Sequence, residues 1–454
     1  MMKIFSLAGA LIIVLLCTAI AVDAKVTAEE AAKLKGELTP MGAIRAGNKE
    51  GTIPEWTGGI TKPPEGYKFG MYHPDPYASD AIVVTITAAN VDKYKDKLSP
   101  GQIAMFKRYP NTWKMNVYPT HRSASFPQRI YDMAIRNATT AGLSEGGNGV
   151  LNATEAIPFP IPKEGVETIW NHLLRYRGET VHMVFGQTSP TAGGAYTMVT
   201  IDQKVYFPYA QPGATAESIN NKVLYFLQTV IAPPRLAGEM LLLHETIDQI
   251  KEPRTAWTYN PGQRRVRRAP NVAYDNPGTA SDGQRTNDQL DVFNGAPDRY
   301  DWKLVGRKEM YVPYNSYKLH SNNLKYDDII KPGHANPELL RYELHRVWVT
   351  EATVRKGTSH LYARRTFYFD EDSWQILAVD QYDARGEIWR VSEAHPINLY
   401  EKMLVAATME AIYDLQNGRY LLGNLTNETQ PWDFNVKLTV EDFNPAEVRR
   451  EGVR

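Results

Sequence analysis

The chain has 454 residues, with 51 Lys plus Arg against 51 Asp plus Glu, 43% hydrophobic and 22% charged residues, and a single cysteine. That balance lies near the globular average and excludes both a disordered tail protein and a polytopic membrane protein. A formal charge of zero also removes the basic excess of a typical nucleic-acid-binding domain, so no nucleic-acid partner is expected and any charge-based recognition must be local.

Residues 1–24 read as a signal peptide: Lys3 supplies positive charge, Ile4 to Leu16 is a mostly apolar run, and Val22, Asp23 and Ala24 form a cleavage site. This predicts a mature start near Lys25 and a periplasmic protein, at most peripheral at the outer membrane. The rival is an uncleaved anchor, because apolar character continues with interruptions to Val22; the length of the run favours cleavage. Leu16 before Cys17 does not fit a lipidation signal. Loss of Cys17 leaves a mature chain with no thiol, which excludes disulfides, cysteine nucleophiles and thiolate metal sites. No second apolar stretch of spanning length follows.

Thr27 and Glu30 have capping-box spacing ahead of a helix over 28–38, stopped by Pro40 and Gly42. From there to about Pro76 the chain is rich in Gly and Pro and reads as a long loop held down by Trp56 and Tyr67. Helices are predicted over 90–98, from the Ser99-Pro100-Gly101-Gln102 cap to about Tyr109, over 127–140, and over 165–176 with Val166, Ile169, Trp170, Leu173 and Leu174 on one face. Beyond Thr180 the texture changes to strands: 181–185, 195–209, 223–230, 239–246, 255–259, 264–269, 300–311, 345–354, 360–369 and 374–382 are rich in Val, Thr, Tyr, Phe and Trp and broken by turns. Successive strands without intervening helices predict an antiparallel meander and argue against a βαβ fold. Residues 406–417 read as a closing helix, and 270–297 as the clearest long loop in this half.

Chemical motifs are few. Gly142-Leu-Ser144-Glu-Gly146 fits the serine-hydrolase elbow in letters, but that turn needs a strand before and a helix after, and here it reads as a glycine-rich loop. No two of the ten histidines have metal-ligand spacing on a helix, and Asp370-Glu371-Asp372 reads as a hairpin turn rather than a calcium loop, so no metal or cofactor is expected. Arg264, Arg265, Arg267 and Arg268 form the densest charge cluster; on a strand they either pair with acidic residues across the ladder or offer an anion or partner contact, since Arg forks match phosphate and carboxylate. Tyr outnumbers Phe by 26 to 13. Aromatics with polar tips suit the mouth of a cavity for an amphipathic ligand, which makes Trp257, Tyr259, Tyr311, Tyr314, Trp348 and Phe367 pocket candidates.

Three long stretches, Ala232-Pro-Pro-Arg-Leu-Ala-Gly238, Ala256-Trp-Thr-Tyr-Asn-Pro-Gly-Gln-Arg-Arg-Val-Arg-Arg-Ala-Pro270 and Phe293-Asn-Gly-Ala-Pro-Asp-Arg-Tyr-Asp-Trp302, resemble the bacterial domain of unknown function 1329 family. Leu38-Thr-Pro-Met-Gly42, Ala46-Gly-Asn48, Ile53-Pro54 and Trp56-Thr-Gly-Gly59 resemble its N-terminal signature, and Tyr362-Ala-Arg-Arg365, Trp374 and Asp380-Gln-Tyr-Asp383 its C-terminal part. The resemblance implies an α+β, β-rich fold: a large curved antiparallel sheet, a half-barrel like that of periplasmic lipoprotein carriers, with helices covering its concave face. It implies outer-membrane lipoprotein sorting as a label, and association with a resistance-nodulation-division class transporter and an outer-membrane barrel protein. It brings no catalytic residues.

The organisation expected is an N-terminal mixed helix and loop region over 25–179 packed on the sheet, then the half-barrel region over 180–454 with its C-terminal helix. The function expected is a periplasmic, non-enzymatic carrier that binds a lipid, a lipoprotein acyl chain or another hydrophobic compound and passes it between envelope partners. The alternatives are an accessory docking subunit of an envelope transporter system and an ester or lipid hydrolase.

Overall fold

A computed structural model describes residues 26–269, 272 and 274–453; the signal-peptide reading of residues 1–24 lies outside them. At the N-terminus the Glu30 N–H donates to Thr27 Oγ1 and the Thr27 N–H to the Glu30 carboxylate, so α1 (Ala28–Ala32) begins at the predicted cap. It continues only as a 3₁₀ turn at Lys33–Lys35. No regular element follows until β1 (Val84–Thr87), and the intervening segment is anchored by Trp56, edge-on to Tyr131 at 6.0 Å, and Tyr67, edge-on to Tyr400 at 5.2 Å. Residues 90–98 are two 3₁₀ turns, Val91–Lys93 and Lys95–Lys97, instead of the expected helix. Neither turn buries a residue, so no apolar stripe offsets the cost of helix nucleation there.

The next three helices stand where the sequence puts them. Ser99 and Gln102 exchange cap hydrogen bonds at 3.0 Å and start α2 (Pro100–Arg108); β2 (Lys114–Val117), α3 (Gln128–Thr140), β3 (Gly142–Leu143), β4 (Val150–Leu151) and α4 (Gly165–Leu174) follow. A first meander runs β5 (Thr180–Thr188), β6 (Val199–Tyr206), α5 (Ala216–Ile219), β7 (Lys222–Ala232), β8 (Met240–Thr246), β9 (Thr255–Asn260) and β10 (Arg265–Arg268). A second runs β11 (Tyr300–Pro313), α6 (Tyr317–His320), α7 (Tyr326–Ile329), β12 (Tyr342–Val354), β13 (Arg364–Asp370), β14 (Ile376–Tyr382), β15 (Ile388–Leu399), β16 (Leu404–Asp414) and β17 (Tyr420–Leu425), and the chain ends in α8 (Pro445–Val453).

The result is one open, β-rich sheet of 15 strands in the order β1-β2-β12-β13-β14-β15-β16-β17-β5-β6-β7-β8-β9-β10, with β11 along the other side of β12. All pairs are antiparallel except the single contact of Val117 in β2 with Tyr342 in β12. Residues 406–417, expected as a helix, belong mostly to β16. Met409, Ala411 and Tyr413 point to one face and Glu410 and Ile412 to the other, and all are buried. A strand covered on both faces loses the polar alternation that marks strands in sequence, and its alanines then read as helical. Its neighbour β15 carries Pro396 at a register shift, which hides it from the same test.

Helices cover both sheet faces. Thr350, Phe367 and Val379 are cross-strand neighbours and so share a face; Thr168 of α4 meets Thr350 there, hydroxyl to hydroxyl at 2.8 Å. Thr366 and Asp380 share the opposite face, where Ser99 Oγ donates to Asp380 Oδ1 at 2.9 Å and α2 packs so closely that a Cβ on Gly101 would lie 2.1 Å from that oxygen.

The β13–β14 turn holds a buried ionic knot. Arg122 forks onto Asp372 at 2.6 and 2.8 Å, and Arg346 bonds Glu371 at 3.2 Å. The same side chains grip the N-terminal segment: Arg122 donates to the Arg45 carbonyl, Arg346 to Ala46, Arg307 to Gly42, and the Trp374 indole to Met41 at 2.8 Å. Burial and the neighbouring Asp372 charge push the Glu371 carboxyl up to about 7, against the pull of Arg122, Arg346 and Arg307.

Arg122→Ala strands the Asp372 carboxylate in the interior, where breaking one side of a buried pair costs about 3–5 kcal/mol. Urea denaturation should show a loss of that order, and amide exchange should accelerate first at residues 41–54. A loss under about 1 kcal/mol would mean that the knot does not hold the segment.

Candidate functional site

On the α4 face, alternate residues of β5 to β8 line up across four strands. Val181, Val205, Phe226 and Leu243 form one row, and Met183, Gln203, Gln228 and Leu241 the next. Trp170 and Leu173 of α4 close one side, Leu290 and Phe293 of the 272–294 loop lie above, and Trp432 and Phe434 come from beyond β17, leaving a cavity of about 190 Å³. Its floor reaches across the seam of the two meanders to Glu410 of β16 and Asn424 of β17. That seam is thin: β17 meets β5 only at Leu422–Thr188 and Leu425–Gly186, and Asn424 between them has a positive φ of 64°.

The loop above the cavity is tied down through its own carbonyls. Gln187 of β5 donates to Thr279 and Ala280 at 3.0 and 2.8 Å, Arg390 of β15 to Gln284 and Gly283 at 3.0 and 2.9 Å, and Arg254 to Val272 at 2.8 Å. Arg365 and His360 grip Asp288 at 2.6 and 3.0 Å. Burial alone would raise the Asp288 carboxyl, but the Arg365 charge and the His360 contact hold it well below the usual carboxylate range.

Most charges at the cavity are matched. Arg175 Nη2 donates to both Asp291 oxygens at 2.6 and 2.7 Å, Arg177 bonds the same carboxylate at 2.8 Å, and Arg254 pairs with Glu245. Two are not. Among the described residues Glu410 has no cationic nitrogen within 4.0 Å; it accepts the Val292 N–H at 3.2 Å and the Asn424 amide at 2.9 Å, and burial followed by the Asp291 charge pushes it up to about 7. Arg285, 7% exposed, has no carboxylate within 4.0 Å either, and burial lowers its pKa.

The aromatic candidates lie apart from this cavity. Trp257 and Tyr259 face the other side of β9, beneath α8, where the Tyr259 hydroxyl donates to the Gly452 carbonyl at 2.8 Å. Tyr311 packs edge-on to Tyr94 in the cluster under α2, and Tyr314 stacks on His345 at 3.8 Å and donates to Asp370. Trp348 stacks on Trp374 with the Arg307 guanidinium 4.0 Å over its ring. Phe367 comes nearest, packed edge-on behind the cavity residue Phe293 at 5.5 Å. The lining is instead mostly Phe, Leu, Val and Gln with Met183, the tryptophans Trp170 and Trp432 and a few charged side chains, and its sequence signal was the apolar alternation of β5 beside a long loop.

Arg264 sits in the β9–β10 turn with φ 50°, and Arg265, Arg267 and Arg268 stand on the exposed edge strand opposite Asn260, Thr258 and Trp257. All four are exposed, and among the described residues none has a carboxylate within 4.0 Å, so the cross-strand acidic pairing weighed from sequence is absent. Ser144 follows the two-residue β3 and precedes a 3₁₀ turn, and its buried Oγ has no hydrogen-bond partner. That is not the strand-to-helix elbow of a hydrolase. His345, Asp370 and Asp372 bring ligand atoms within 4.8 Å of one another. A cation there would compete with the Arg122 fork on Asp372, with Tyr314 and Ser373 donating to Asp370, and with Glu343 on His345 Nε2. Among the described residues no helix is long and apolar enough to cross a membrane.

The family described as protein of unknown function (DUF1329) matches residues 85–449. An uncharacterized protein of Pseudomonas aeruginosa is 52% identical over 453 residues, spanning 100% of this chain and 99% of that protein. Among solved structures, an outer membrane lipoprotein-sorting protein domain from Vibrio parahaemolyticus is 14% identical with a TM-score of 0.44, over 63% of this chain and 98% of its own. A DUF1329 family protein from Desulfovibrio piger is 13% identical with a TM-score of 0.41, over 60% and 92%. A LolA superfamily protein from Nitrosomonas europaea is 12% identical with a TM-score of 0.35, over 60% and 93%. At such scores these structural likenesses carry no argument about ligand or partner.

Because Glu410 is raised from its ordinary 4.5, the folded chain holds a proton there that the unfolded chain releases, and this group makes stability fall as pH rises from about 4.5 to 7. Other buried carboxylates titrate in the same window, so the variant isolates the effect. Glu410→Gln should flatten the fall in urea stability between pH 5 and pH 8 by about 1–3 kcal/mol. An unchanged slope would place the Glu410 carboxylate in a solvated setting.

Proposed function

The chain belongs to the DUF1329 family, and on its cavity we propose that it is a periplasmic, non-enzymatic carrier for a lipid, a lipoprotein acyl chain or another hydrophobic compound. The observation that carries this reading is the cover of the β5–β8 face: an apolar row across four strands, flanked by a row with Gln203 and Gln228 at its centre, lies under a loop that is pinned at its edges and leaves space beneath it. Packed interiors do not leave such space without a use or a cost. At about 25 cal/mol per Å² of apolar area buried, an acyl chain gains several kcal/mol there, enough to hold it and still release it. The export signal read in residues 1–24 supplies the compartment. The lack of a partner on Ser144 Oγ weighs against the hydrolase reading.

The probe N-phenyl-1-naphthylamine should bind saturably with a rise in fluorescence. Met183→Glu, which puts a carboxylate on a cavity row, should weaken binding about tenfold or more at an unchanged melting temperature. No saturable uptake by the wild-type protein would overturn the carrier reading, and turnover of a long-chain ester that depends on Ser144 would replace it with the hydrolase.

A second reading rests on the exposed arginines at the sheet edge, which suit an acidic surface of an envelope partner such as a resistance-nodulation-division class transporter or an outer-membrane barrel protein. A photocrosslinker at Arg265 should then capture one discrete envelope protein in intact cells, and capture should be lost when Arg264, Arg267 and Arg268 become Glu. Capture that survives the charge reversal would contradict this use of the strand.

A further inference from the structure

Arg285 is the charge that folding leaves without a purpose. It sits on the loop over the cavity, lines it, and is 7% exposed. Its Nε has no partner, its Nη2 reaches only the Thr279 carbonyl at 3.5 Å, and among the described residues no carboxylate oxygen lies within 4.0 Å. Taking a guanidinium out of water costs several kcal/mol unless an anion meets it, and the charge opposing Arg285 is Glu410, which lies beyond ion-pair distance and is itself pushed up to about 7, so the guanidinium keeps its capacity to bind an anion. Every other arginine near it is spoken for: Arg175 and Arg177 by Asp291, Arg254 by Glu245, Arg365 by Asp288, and Arg390 by Asp414. Room is kept for the side chain as well, since a Cβ on Gly278 would stand 3.0 Å from Arg285 Nε.

We propose that Arg285 is the head-group clamp of the cavity, and that the ligand is an amphiphile with one anionic head, a carboxylate or a phosphate ester, whose tail lies along the apolar rows of β5 to β8. This rests on the carrier reading above and narrows it. Gln187, which holds the Thr279 carbonyl that Arg285 also reaches, marks the head end. Val181, six residues along the same strand, lies about 20 Å away at 3.3 Å per residue, a span suited to a long acyl chain. The guanidinium fork fits either oxyanion. Glu410, pushed up to about 7 by burial and the Asp291 charge, can share the head as a donor when protonated.

The test compares cis-parinaric acid with its methyl ester, and lysophosphatidic acid with the matching monoacylglycerol as displacing ligands, on the full chain. Wild-type protein should prefer each anion over its neutral counterpart about tenfold or more. Arg285→Met should erase that preference while leaving ester affinity unchanged, Arg285→Lys should restore part of it, and Arg285→Met should melt at the same temperature or higher because it removes a buried unpaired charge. A preference that survives in Arg285→Met, or wild-type protein that binds acid and ester alike, overturns the clamp and leaves the carrier reading standing. Wild-type protein that binds neither overturns both.

Discussion

A sheet face with an unbroken apolar row across four strands, Val181, Val205, Phe226 and Leu243, cannot be left in water, and how that face is covered governs the rest of this structure. The second meander meets the requirement with α3 and α4 on one side and α2 on the other, so β12 to β17 are buried on both faces for most of their length, while the outer β11 keeps exposed residues. Over β5 to β8 the cover is a loop. A loop lacks the continuous apolar stripe of a helix, so it is fixed by hydrogen bonds from Gln187, Arg254 and Arg390 to its carbonyls and by the Arg365 grip on Asp288. Fixing the edges of a cover without filling its centre produces a cavity.

The N-terminal third extends the sheet through β1 and β2 and supplies a long irregular strap. That strap pairs with itself only through turns and short bridges, such as Arg45 to Glu37 and Trp56 to Arg45, so several of its carbonyls find side-chain donors elsewhere. Arg122, Arg307 and Arg346 both neutralise Glu371 and Asp372 and bond the strap, which makes one buried cluster serve a turn and a distant segment together. Such a cluster gives register and uniqueness more than raw stability.

Much of the sheet was legible because its strands are rich in Val, Thr, Tyr, Phe and Trp and are broken by turns, which holds for β6 with its alternating burial and equally for β12 to β14, buried on both faces. The cap at Ser99 and the N-terminal cap at Thr27 were legible for a local reason, since both partners lie within four residues. What escaped was decided at long range: β16 has no polar face to show, and the 90–98 turns pack nothing. The cavity escaped by the same rule. Aromatic residues with polar tips were the guide to a pocket, yet Tyr259 and Tyr314 spend their hydroxyls on Gly452 and Asp370 inside the core. Arg285 sits in a polar loop, and nothing near it in sequence shows that Gln187, almost a hundred residues earlier, folds that loop over an apolar floor.

The claim on which everything functional depends is that the space under the 272–294 loop is a ligand site. The most direct test is mass spectrometry of an organic extract of the protein purified without detergent from its native periplasm, beside an exported control protein. The account predicts a stoichiometric amphiphile with an acidic head, absent from the control. A clean blank, repeated on protein whose native mass shows no adduct, would contradict it and leave the cavity a packing consequence of a loop-covered sheet.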